Sequence, residues 1–227
     1  MATRPSGAEA RTAAATSART LLSCGIAAGP LFIGVSLFEA FTRKGYALTR
    51  YPISLLLLGD LGWIQLATFV VTGLLVVGCA VGIWRALHPG RAATGAPLLV
   101  GLYGWALIIA GVFPPDPSFG FPAGAQDRVP ALQSATSMVH ELAVGVCALS
   151  IVAASIVFAR RFTGLGQRGW AAYCIATAVS PLFLAAAMPT WMRGSGGLPV
   201  LGAAVIMFGW LALVANRLMA DAGQCAR

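Results

Sequence analysis

Charge is what this chain has least of: 10% of its 227 residues are Asp, Glu, Lys or Arg, against about a quarter in an ordinary soluble domain. Seven acids and two histidines leave little from which acid/base or metal chemistry could be built. The five cysteines form no CxxC and no Cys/His cluster. Cys24, Cys79, Cys147 and Cys174 sit inside apolar runs, and Cys225 lies near the carboxyl end. That spacing argues against a zinc site and against a disulfide framework, and reads as small buried hydrophobes. No repeat period marks a transporter built of inverted halves. No metal or cofactor motif occurs, so none of either is expected.

What is present is apolar. Hydrophobic residues make up 58% of the chain and the mean hydropathy is +0.82, so much of the surface must face lipid. The formal charge of +8 would point a soluble protein toward nucleic acid, but here the fifteen Lys and Arg sit mainly in the links between apolar runs. That is the distribution of the positive-inside rule, and a nucleic-acid partner is not expected. The expected partner is the lipid bilayer.

Six runs are long enough to cross a hydrocarbon core of about 30 Å at about 1.5 Å per residue. They predict an all-α bundle with transmembrane helices near residues 21–41, 63–84, 97–113, 134–159, 170–188 and 198–219. Residues 1–20, rich in Ala, Thr, Ser and Arg, read as a disordered tail, 21–220 as the membrane domain and 221–227 as a short tail. The first run is longer than a signal-peptide core and has no convincing cleavage site, so it is read as an uncleaved span. Between the first two spans, residues 53–58 are apolar but too short to cross, and Pro52 before them with Gly59 after them suits a short interfacial helix. Pro114 and Pro115 should stop the third helix, and Pro181 should kink the fifth. With the amino terminus inside, ten Lys and Arg fall on the inner side and five on the outer, which places both termini in the cytoplasm. His88 and His140 then lie on opposite sides, which argues against haem held by paired histidines.

The longest polar interruption is VFPPDPSFGFPAGAQDRVPALQSATSMVHE, residues 112–141. In the expected topology Glu39, Asp60, Asp116, Asp127, His140 and Glu141 all gather at the outer end. Ionisable groups at membrane depth are costly, about 2.5–3.5 kcal/mol at a helix centre, and should face the bundle or a wet cavity. Two readings are open. In one, His140, Asp116 and Glu141 form an acid/base group, with Asp116 orienting the imidazole. Glu39, Asp60, Trp63, Phe113, Phe119, Phe121, Asp127 and Arg128 would then complete a pocket for a lipid-like, isoprenoid or other amphipathic ligand. In the other, Asp116 caps the PPDP turn and bonds His140 only to fasten loop to helix, as in a non-catalytic packing or partner subunit of the membrane. Ser134, Thr136 and Ser137, hydroxyls at a helix start, read as caps. Small residues at helical spacing, such as Gly25 with Gly29 and Gly101 with Gly104, read as helix-packing contacts.

Two stretches carry a family resemblance. YPISLLLLGDLGWIQLATFVVTGLL, residues 51–75, and GVFPPDPSFGFPAG, residues 111–124, followed by the helix-four His140, resemble the bacterial membrane proteins grouped as domain of unknown function 998. The resemblance implies a small multi-helix integral protein of the bacterial cell membrane, commonly actinobacterial, with no established activity. Family members often have further polar residues ahead of the Ser54 position and a Gly close before the histidine, where this chain reads RYPIS and SATSMVHE.

Overall fold

The computed structural model describes residues 7–90, 92–179, 181 and 196–224, with side chains described from residue 16 to 221 inside those ranges. Among them every regular element is helical. Helix α1 is Gly7–Thr42, a 3₁₀ helix follows at Ile53–Leu57, and then come α2 (Gly62–Leu87), α3 (Gly95–Val112), α4 (Ala135–Gly164), α5 (Arg168–Ala178) and α6 (Gly197–Gln224). Five of these are long and apolar enough to cross a membrane. The fifth expected span, 170–188, begins as α5; Pro181 is described, but residues 180 and 182–195, which flank the kink expected there and include Arg193, lie outside the described residues.

The boundaries follow local chemistry. Helix α3 ends at Val112 because neither Pro114 nor Pro115 can donate the next hydrogen bond. Helix α4 is capped by Ser134, whose Oγ accepts from the Ser137 N–H at 3.1 Å and so satisfies one of the helix's orphan donors. Helix α1 starts at Gly7, so it extends back into the segment read as a tail; its apolar part is Thr16–Thr42.

The helices pack in the spatial order α5, α4, α3, α2, α1, α6, with α6 touching α5. Glycines set the closest approach. A Cβ on Gly73 would lie 2.6 Å from the Gly104 carbonyl oxygen, and one on Gly104 would lie 2.7 Å from that of Gly73, so α2 and α3 meet backbone to backbone. Gly29 lies similarly under Phe208 of α6, at 2.9 Å. The packing reading of these small residues is the one the coordinates support, and Gly101, 3.7 Å from Ala80, makes only ordinary contact. Phe32, Phe69, Tyr103, Phe158, Phe208 and Trp210 are large members of one continuous apolar core.

Contacts at the helix ends sort the elements. At one end Arg85 of α2 bonds Ser17 of α1, and Asp221 of α6 acts on Arg161 of α4 while lying 3.3 Å from Arg217. At the other end the close of α1 meets the 3₁₀ helix, the start of α4 meets the close of α3, and the start of α6 sits on the 48–51 backbone, where a Cβ on Gly197 would come within 2.6 Å of the Tyr51 oxygen. The beginning of α1 and the finish of α6 thus share an end. The connection 113–134 crosses the opposite one, called the loop end below.

Candidate functional site

Four constructions hold the loop end together. The first is a buried ion pair: Glu39, 3% exposed, accepts from Arg43 at 2.8 Å, and Arg43 also donates to the Leu56 and Leu58 carbonyls at 2.6 and 2.9 Å. One residue thereby caps the 3₁₀ helix and neutralises the acid, which is how a charge becomes tolerable where water is scarce. Four of that helix's five residues, Ile53, Leu55, Leu56 and Leu57, are buried. Below it Gln65 of α2 donates to Ser36 Oγ at 3.0 Å, both fully buried.

The second construction is made by Asp116. Its carboxylate accepts from the Ser134 N–H at 2.7 Å and from the Ser134 hydroxyl at 2.6 Å, and its own N–H donates to Ser137 Oγ at 3.3 Å. Asp116 therefore fastens the loop to the first turn of α4. The third is His140, 1% exposed. Its Nδ1 lies 2.8 Å from the Ala110 carbonyl oxygen and 2.9 Å from that of Phe113. Carbonyls only accept, so Nδ1 carries the proton and donates to both. These are among the oxygens that the end of α3 leaves without helical partners, and the imidazole closes that helix. Asp116 thus holds Ser134, and the imidazole is oriented by backbone carbonyls. Among the described residues Nε2 of His140 has no hydrogen-bond partner, and in the neutral ring it is an acceptor.

The fourth is an aromatic cluster under the loop. Phe121 stacks edge-on against Tyr46 at 5.3 Å and lies 5.4 Å from Tyr51. Tyr46 donates to the Tyr51 carbonyl at 2.9 Å, and burial pushes its hydroxyl well above the ordinary tyrosine range, so it stays protonated. Phe119 sits at the tip of a tight turn with φ +56, a left-handed backbone rare for a phenylalanine, and its side chain is 4% exposed. The turn is closed by mutual backbone bonds between Ser118 and Phe121.

These constructions frame a cleft of two parts. The upper part, about 330 Å³, opens at the loop end and is lined by Ser54, Asp116, Ser118, Phe119, Ser137 and Glu141 among others. The lower part, about 100 Å³, runs into the bundle between Phe32, Phe69, Tyr103, Val144, Ala148 and Phe208. Pro52, Ser54 and Glu141 line both, so the two are contiguous, and His140 lines the lower one.

A sequence profile described as "Protein of unknown function (DUF998)" matches residues 26–217. The chain belongs to the DUF998 family. No curated protein and no solved structure matches it. In this DUF998 member the cleft lies wholly within the matched residues, between Phe32 and Phe208.

The residues expected at the site divide sharply. Asp116, Phe119, His140 and Glu141 line the cleft. Glu39 serves Arg43, Phe121 serves the aromatic cluster, and Phe113 contributes its carbonyl to His140. Asp60 is exposed, and Trp63, 66% exposed, points off the bundle. Asp127 pairs with Arg50 at the surface, and Arg128 donates to Gln126 at 3.1 Å. Sequence reasoning missed Ser54, Ser118, Tyr103 and the Ser36–Gln65 pair. Only Gln65 carried a signal, as the one amide side chain in the apolar run of residues 63–84.

Proposed function

We propose that this protein crosses the bacterial cell membrane six times, with both termini in the cytoplasm and the loop end outside, and that its cleft holds a lipid-like amphipathic ligand. The observation that carries the reading is the contiguity of two chambers, an upper one whose mainly apolar wall is set with Asp116, Glu141 and three serines and a lower one that is almost wholly apolar, an arrangement suited to a headgroup followed by a chain. Six crossings are supported by the ends of the helices: α4 and α6 finish at the same end, whereas α6 begins at the loop end, which is what a further crossing between α4 and α6 would require. The 3₁₀ helix and the aromatic cluster then lie near the outer interface. A second reading, acid/base chemistry on the bound molecule, is favoured by one feature: the unpartnered Nε2 of His140 beside Glu141 in the same chamber.

The test is site mapping with a photoreactive long-chain alcohol carrying a diazirine in its chain. In native membranes it should label α4 around Val144 and Ala148, and Ala148→Phe should abolish that labelling. Labelling confined to outward-facing positions such as Leu74 and Leu142 would remove the cleft from consideration.

A further inference from the structure

The cleft reading leaves open which headgroup fits, and on that reading we infer that the site takes a long-chain amphiphile whose headgroup donates hydrogen bonds and carries no negative charge, an alkylammonium or an alcohol. Among the described lining residues the charged side chains, Asp116 and Glu141, are carboxylates that only accept, while Gln133 and the serines can donate or accept. Glu141 faces both chambers, Ser54 is shared between them, and His140 presents an Nε2 that accepts in the neutral ring. Asp116 adds a second carboxylate to the upper chamber, already engaged by Ser134. Tyr103, 1% exposed and lining the lower chamber, has a hydroxyl with no hydrogen-bond partner. A buried hydroxyl without a partner is costly, and a ligand's own hydroxyl or amine would satisfy it.

Among the described residues no Lys or Arg lines either chamber, and the described arginines of the loop end have other partners. Arg43 is bound by Glu39 and two carbonyls, Arg50 by Asp127, and Arg128 by Gln126, while Lys44 is exposed. An anionic headgroup entering the upper chamber would therefore meet two carboxylate side chains and, among the described residues, no countercharge, which is repulsive. An ammonium meets a partner in Glu141, and an alcohol can donate to Glu141 or to His140 Nε2.

The experiment is displacement of the photoreactive alcohol from the purified protein in a neutral detergent by dodecylamine, dodecanol, dodecyl phosphate and dodecanoate. The amine and the alcohol should displace the label at concentrations about tenfold or more below those of the two anions. Glu141→Gln, which keeps the shape and an acceptor oxygen, should cost the amine about tenfold and the alcohol markedly less, which separates ionic recognition from hydroxyl recognition. Anions that displace as well as the amine would overturn the inference while leaving the cleft itself occupied. A label that no amphiphile displaces would overturn the inference and the cleft reading together.

Discussion

At the scale of single residues, the two nitrogens of His140 stand in different surroundings. Nδ1 closes α3 through the Ala110 and Phe113 carbonyls, and Nε2 has no partner among the described residues. Asn places an amide nitrogen on the same side-chain carbon that bears Nδ1, so His140→Asn keeps the cap and deletes the acceptor. It should hold stability in detergent to within about 1 kcal/mol and lose capture of the photoreactive alcohol. His140→Ala removes both and leaves buried carbonyls unmet over a void, which should cost about 2–4 kcal/mol. Thermal unfolding with labelling measured in parallel distinguishes the variants; equal destabilisation by Asn and Ala would contradict the division of roles. The histidine itself was legible in the sequence as an ionisable group near a helix start. Its partners were not, because they are backbone oxygens 27 and 30 residues away, and a carbonyl leaves no mark on a sequence. Asp116 illustrates the same limit in reverse: its engagement by Ser134 is local capping chemistry, and the hydroxyls at 134, 136 and 137 already read as caps.

At the scale of elements, apolar length placed α2, α3, α4 and α6 to within a few residues, and prolines marked the close of α3. What length and composition do not encode is which face of a helix approaches which neighbour. The hydrophobic residues of a membrane helix cover its whole circumference, so periodicity identifies no buried side, and Trp63 and Asp60 were expected in a pocket that they do not reach. Glycine spacing carries more. Gly104 lies against Gly73 with no room for a methyl group, the obstacle being backbone, which cannot rotate aside. Gly104→Ala should therefore force α2 and α3 apart and lower stability by about 1–3 kcal/mol, whereas Gly145→Ala, where a Cβ meets nothing within 4 Å, should leave the unfolding temperature unchanged or raised. Equal effects at the two positions would mean that the α2–α3 contact is looser than described.

At the scale of the molecule, the end-to-end sorting of charge and the shape of the cleft point the same way. Arg19, Arg85, Arg160, Arg161, Arg168 and Arg217 belong to the end opposite the loops, the distribution expected of a cytoplasmic face. A cysteine in place of exposed Ala123, in a Cys225→Ser background, should react with an impermeant maleimide in intact cells; reaction only after the membrane is opened would invert the orientation. The central claim is that the two-chambered cleft is occupied by an amphiphile in the living membrane, and native mass spectrometry of the gently extracted protein asks this directly. A bound species of a few hundred daltons should ride on the wild-type chain and be absent from Ala148→Phe, whose added ring is of a size to fill the lower chamber. Folded protein that flies bare in both cases, or that carries the same adducts in both, would contradict that claim.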